Sequence, residues 1–233
     1  MESKTGVAPL IEETPSLVDR VADIIHRSII EGRVRPGDAL SISDLASDLR
    51  VSHSPVREAL QRLAGQGLVV LRPARTAIVA PLELEDLHEI YRLRELIEVD
   101  AAARAAPLLT ADDVTELEAT LAIFGASSHP HDEGYWVAHD AFHRVLIRPV
   151  LTRRLERLID QLWQSAERYV RLVFNDSSDA LSRSPPRERH VLLVDAARSG
   201  DPELMRSTLD DHLRQSERDM ADQVKRMLVA PPA

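Results

Sequence analysis

The strongest constraint on the fold is an interrupted helical pattern near the N-terminus. Ile42, Leu45, Ala46 and Leu49 recur at i, i+3, i+4 and i+7, so they share one face of a short helix. A break at Arg50–His53 follows. Then Val56, Ala59, Leu60 and Leu63 resume the same period. Ser41 or Ser43 is placed to cap the first helix. Ser54 is expected to cap the second, with Pro55 at the first helical position, where the missing N–H costs nothing. Two amphipathic helices joined by so short a turn read as a helix-turn-helix. An earlier helix is expected through Leu17, Val18, Val21, Ile24, Ile25 and Ile29, ending near Gly32 ahead of the Pro36-Gly37 turn. Leu68–Leu71 and Ala77–Val79 read as two short strands around Pro73–Thr76. Three helices and a hairpin over residues 15–80 give a winged helix-turn-helix. Residues 1–14 lack periodicity and are expected to be a flexible tail.

The second half reads differently. After a short linker at 81–84, apolar periodicity runs through Leu87, Ile90, Tyr91, Ile97 and Ala101. Further helices are expected at about 111–124, 134–147, 150–174, 185–198 and 202–228. No strand pattern interrupts them. The expected class is therefore mainly α, a winged helix-turn-helix followed by an all-α helical bundle over 85–229.

Charge divides along the same line. The 233 residues carry a net charge of -9, which by itself argues against a nucleic-acid partner. Residues 1–80 hold 10 basic and 10 acidic side chains, so the whole excess lies beyond them. Within residues 50–75, Arg50, Arg57, Arg62, Arg72 and Arg75 face a single acid, Glu58. The outward face of the second helix of the pair carries Ser54, Arg57, Glu58 and Gln61, opposite its apolar residues. Arg and Gln can donate to base edges, and a helix N-terminus can meet a phosphate. Arg72 and Arg75 would reach the flanking backbone from the wing. These features point to a double-stranded DNA partner; a solvated surface is the plainer alternative.

The bundle's chemistry lies in histidines. His139 and His143 are four residues apart and point the same way from one helix. With His190 and His212 they offer four imidazoles on three helices, enough for a divalent metal. Unconnected surface or core histidines fit the same spacing. His129 and His131 fall in an expected loop. Tyr91, Trp136, Trp163 and Tyr169 are candidates either for a pocket wall or for the core. The absence of cysteine excludes disulfides, thiol catalysis and Cys-ligated metal, and fits a reducing cytoplasm. No apolar run is long enough to span a bilayer.

Residues 17–80 resemble the reading head of GntR-type bacterial transcription regulators. The resemblance is carried by Arg35-Pro36-Gly37-Asp38-Ala39-Leu40, Leu45-Ala46, Val51-Ser52-His53-Ser54-Pro55-Val56-Arg57-Glu58-Ala59-Leu60, Arg62-Leu63 and Gly67-Leu68. It implies that Arg50, Ser52, His53, Ser54, Arg57, Gln61, Arg62, Arg75 and Thr76 face DNA. Three of these depart from the family pattern: Arg50 and Thr76 stand where Gly is usual, and His53 where a base-reading Arg is usual.

The second half is similar to the ligand-sensing domain of the FadR-type branch. The carrying segments are Leu93-Arg94-Glu95-Leu96-Ile97-Glu98, Phe142-His143-Arg144-Val145-Leu146, Glu188-Arg189-His190 and Asp211-His212-Leu213. The resemblance implies a divalent metal on His143, His190 and His212. The fourth ligand, usually an Asp four residues before the first histidine, is here His139, with Asp140 next to it. Imidazole in place of carboxylate shifts preference toward Zn²⁺ or Ni²⁺ over Mn²⁺. The resemblance also implies a homodimer, a small carboxylate effector met by Arg94, and a repressor whose operator binding the effector controls. Three other readings stay open. The metal could be purely structural, or the effector pocket could hold no metal. Alternatively, His139-Asp140-Ala141-Phe142-His143 approaches the zinc-hydrolase pattern H-E-x-x-H, but Asp140 is one methylene short of the usual general base. An enzyme is therefore not expected.

Overall fold

The computed structural model describes residues 15–73, 76–126, 133–176 and 187–229. The expected tail over 1–14, the wing residue Arg75, and His129 and His131 lie outside the described residues. The chain divides into two compact units. The first comprises residues up to Ile29 and Val34–Ala80; the second runs from Pro81 onward and includes Ile30–Arg33.

The first unit contains α1 (Leu17–Ile30), β1 (Ala39–Ser41), α2 (Ile42–Leu49), α3 (His53–Gly65), β2 (Val69–Arg72) and β3 (Thr76–Val79). Ser16 and Asp19 cap α1 reciprocally. The Ser16 N–H donates to Asp19 Oδ2 at 2.9 Å, and the Asp19 N–H donates to Ser16 Oγ at 3.1 Å. Val21, Ile25 and Ile29 of α1 are buried, as are Ala46 of α2 and Val56, Leu60 and Leu63 of α3. The sheet is antiparallel in the order β1-β3-β2. β1 adds a third strand to the two that the sequence pattern predicts. It is three residues long, too short to show alternation, and Leu40 pairs with Ala77 across it.

α2 is capped by Ser41, whose hydroxyl accepts from the Asp44 N–H. It ends at Arg50, which adopts φ 54 and ψ 45 and is the one non-glycine with positive φ among the described residues. That geometry turns the chain sharply enough for α3 to begin at His53. A left-handed Arg is strained where Gly is not. Arg50→Gly should therefore stabilise the first unit by about 1 kcal/mol. Urea denaturation checks this: an unchanged or lowered midpoint would contradict it.

The start of α3 differs from expectation. Its N-cap is Ser52, and the helix already includes His53. Ser54 is not the cap; its hydroxyl donates to Glu58 Oε1 at 3.0 Å. Pro55 still falls in the first turn, where backbone N–H groups have no intrahelical partner.

The second unit is all-helical among the described residues. It contains α4 (Leu84–Arg94), a π turn (Glu95–Val99), α5 (Asp100–Ala105), α6 (Ala111–Ala126), α7 (Glu133–Ile147), α8 (Arg153–Asp176), α9 (Arg187–Ser199) and α10 (Pro202–Val229). Short 3-10 turns follow α5 and α7. Thr110 and Asp113 form a capping box at α6. Gly200, at φ 67, ends α9 so that Asp201 can accept from the first free N–H groups of α10. One apolar core joins the helices. It includes Leu87, Leu117, Phe142, Ile159, Leu193, Leu209, Leu213 and Val224, each buried. No helix among the described residues is long and apolar enough to cross a membrane.

Candidate functional site

In the first unit, α3 presents a polar stripe. His53, Ser54, Arg57 and Gln61 are all exposed. At 3.6 residues per turn they fall within about 100° of one another around the helix axis. Pro55, Val56, Ala59, Leu60 and Leu63 occupy the opposite side and are buried. The buried face fixes the helix, and so fixes which side the stripe presents. Arg50 is exposed just before α3, and Ser52 makes no side-chain cap bond. Arg62, expected to face DNA, is exposed and ion-paired with Asp19 on α1. Ser16 and the Arg62 guanidinium both hold the Asp19 carboxyl below its usual range. Thr76 opens β3 opposite Arg72 and Ser41, and its hydroxyl donates to the Pro73 carbonyl at 3.4 Å.

In the second unit, α7 brings His139 and His143 together with ring centroids 4.7 Å apart. His190 of α9 lies 5.2 Å from His139 and 5.5 Å from His143. His212 of α10 lies 5.2 Å from His143 and 4.7 Å from His190. All four candidate ligands therefore converge. Ligand atoms of His139, His143 and His190 lie within 4.8 Å of one another, and His212 stands beside them. Asp140, the rival fourth ligand, has a side chain 61% exposed and sits 3.8 Å from His139 Nδ1.

The donor set suits a borderline cation. His143 Nε2 and His212 Nδ1 are buried without a hydrogen-bond partner. Burial, with the neighbouring imidazoles, holds the His143 pKa well below its ordinary value. Burial, then His139, Arg94 and Arg189, pulls His212 down to about 3. Both rings are thus neutral near pH 7, which is the state that ligates metal. A buried imidazole nitrogen left unbonded is costly, and a divalent ion would satisfy it.

Two of the four histidines form part of the wall of a cavity of about 360 Å³. His139 and His143 line it, with Arg94, Asp140, Trp136, Arg144, Asp160, Trp163, Gln164 and Glu167. Trp136 and Trp163, both tryptophans of the chain, are therefore pocket residues. Tyr91 and Tyr169 are not among the lining residues. Tyr91 packs beneath the Arg94 guanidinium, 4.9 Å from ring centroid to Cζ. Tyr169 is buried and donates to Asp86 Oδ2 at 2.7 Å.

Sequence reasoning named Arg94 but gave Glu98 no role. Arg94 and Glu98 are 8% and 2% exposed. Arg94 Nε donates to Glu98 Oε1 at 2.7 Å and Nη2 donates to Oε2 at 3.3 Å. Trp163 Nε1 also donates to Glu98 Oε1, at 2.8 Å. The i,i+4 spacing was the only available signal for the pair.

Known proteins match both units. Residues 17–79 match the gntR family of bacterial regulatory proteins, and residues 89–215 match the FCD domain. The chain is 28% identical to the HTH-type transcriptional regulator BphR of Paraburkholderia xenovorans over 218 residues, covering 88% of this chain and 86% of that one. It is 24% identical to the HTH-type transcriptional repressor RspR of Escherichia coli over 88% of this chain and 89% of that one. The solved structure of E. coli McbR/YncC aligns with a TM-score of 0.74 at 27% identity, covering 90% of this chain and 99% of that one. The reading head, the helical bundle and these matches together establish that the chain belongs to the GntR family of DNA-binding transcription regulators and carries a C-terminal FCD domain.

Proposed function

We propose that this regulator is a dimeric repressor whose operator affinity is set by a small carboxylate bound at a zinc site in the C-terminal bundle. The observation that carries this reading is the convergence of four imidazoles, two with buried nitrogens lacking hydrogen-bond partners, beside a cavity lined by His139, His143 and Arg94. His139, His143, His190 and His212 would hold the ion. His139 is the better fourth ligand, because Asp140 is largely exposed. Zinc bound there would supply a Lewis-acidic positive charge at the cavity wall. Arg94 orients the effector carboxylate, as a guanidinium does well.

On the DNA side, His53, Ser54, Arg57 and Gln61 read base edges in the major groove. Arg50 and Ser52 meet phosphate at the start of α3, and Arg75 and Thr76 contribute from the wing. Arg62 adds to this face, more weakly than Arg57 because it is also ion-paired with Asp19. Two heads of a C2 dimer would grip the half-sites of a near-palindromic operator. RspR is named a repressor, and repression is carried over from it. An effector controls such a head only by binding its two states with different affinity.

A purely structural metal is the second reading. It is favoured by the count of imidazoles, since four nitrogen ligands complete a tetrahedral shell. Thermal unfolding separates the two readings. Succinate should raise the melting temperature of zinc-loaded protein more than that of chelator-stripped protein. Equal shifts would remove the metal from effector binding.

A further inference from the structure

We infer that Glu98 is the residue that makes carboxylate binding in this cavity depend on the metal; the inference rests on the carboxylate-sensing reading above. Arg94 is the cationic side chain that lies beside the histidines on the cavity wall, yet its charge is already met. Glu98 takes the Nε–Nη2 edge of the guanidinium, with donor distances of 2.7 and 3.3 Å. Neither partner is more than 10% exposed at its side chain, so water screens the pair little.

Three features hold Glu98 in this role. The π turn Glu95–Val99 follows directly on Arg94 and carries Glu98 one turn along, on the same side of the helix. Trp163 Nε1, donating from α8, gives the carboxylate a further bond. Tyr91 supports the guanidinium from below. Glu98 itself is absent from the cavity lining, so it acts through Arg94 and is a positioning residue.

The electrostatic consequence follows from these contacts. A ligand carboxylate approaching the metal-free cavity meets a guanidinium whose positive charge is cancelled one bond away. The other charged lining groups give no compensating attraction. Arg144 is paired with Asp160 at 2.6 Å, and Asp140 and Glu167 are acidic. Desolvating a carboxylate there without a net positive partner is unfavourable. Arg94 then supplies direction through its remaining N–H groups, while the cation supplies charge. Without Glu98, Arg94 alone would attract the ligand.

The test measures succinate binding through intrinsic fluorescence, since Trp136 and Trp163 both line the cavity. Wild type and Glu98→Gln are each titrated after zinc loading and after stripping. Zinc-loaded wild type is expected to bind at least tenfold more tightly than stripped wild type. Stripped Glu98→Gln is expected to gain about tenfold over stripped wild type, which shrinks the advantage of zinc. Glu98→Asp, which retracts the charge by one methylene, is expected to gain less. It also keeps the test available if the Gln variant does not fold. Stripped variants that bind no better than stripped wild type would overturn the inference while leaving carboxylate sensing intact. Failure of zinc-loaded wild type to bind succinate or any of a panel of short mono- and dicarboxylates would overturn both.

Discussion

Replacing His190 and His212 together by alanine should abolish stoichiometric metal binding. Wild-type protein equilibrated with zinc and dialysed is expected to hold about one ion per chain, and the double variant none. The loss should also appear in stability. A ligand present at 100 times its dissociation constant stabilises by about 2.7 kcal/mol. For a domain of this size that corresponds to a melting-temperature difference on the order of 5–10 °C. His139→Ala should weaken zinc binding, and Asp140→Ala should leave it nearly unchanged, because only the first side chain belongs to the imidazole cluster. Wild-type metal content in the double variant would exclude the site. The metal-free protein has a matching acid response. His143 and His212 are buried neutral, so the unfolded chain binds more protons than the folded one once the pH falls below the ordinary imidazole value. The His212 contribution to stability is complete above about pH 6.5 and declines as the pH drops toward about 3, and the His143 contribution falls in the same direction.

Arg57→Ala should weaken operator binding by about 1–3 kcal/mol, or roughly 5- to 150-fold. Arg57 is central in the exposed stripe of α3, and the buried side of the helix fixes its direction. The form of the loss distinguishes its role. A base contact gives a loss that depends on one operator position. A phosphate contact weakens all sequences alike and lowers the salt slope by about one. Duplexes selected from a random pool provide the operator, and affinities are compared at fixed ionic strength. Arg62→Ala serves as the comparison, because its guanidinium is engaged by Asp19 and a smaller effect is expected. Unchanged binding by Arg57→Ala would remove the stripe from the DNA interface.

Much of this arrangement can be read from residue order, and the remainder depends on contacts that spacing does not encode. The periodicity of Ile42–Leu49 and Val56–Leu63 is local, so it identifies α2, α3 and the tight turn at Arg50 directly. Two neighbouring serines compete for the start of α3. Both are residue types that suit a cap, and the backbone leaves the helix at Ser52, whose extended φ and ψ make it the N-cap. β1 has only three residues, and its pairing partner lies over thirty positions away. Arg62 has several exposed neighbours, but its partner Asp19 is 43 residues distant. The spacing of His139 and His143 shows that they share a face. Only the bundle brings in His190 and His212, and the family resemblance supplied that step beforehand. Glu98 lies within the Leu93–Glu98 segment that carries the family resemblance, but a π turn has no period of its own in the side chains. Its bond from Trp163 crosses 65 residues.

A sensing metal must have room for a ligand. X-ray absorption at the zinc edge, on zinc-loaded protein with and without succinate, distinguishes this from a closed shell. The expected first shell is imidazole nitrogen at about 2.0–2.1 Å, joined by a carboxylate oxygen when succinate is present. A shell of four nitrogens that succinate leaves unchanged would contradict a sensing role and make the metal structural.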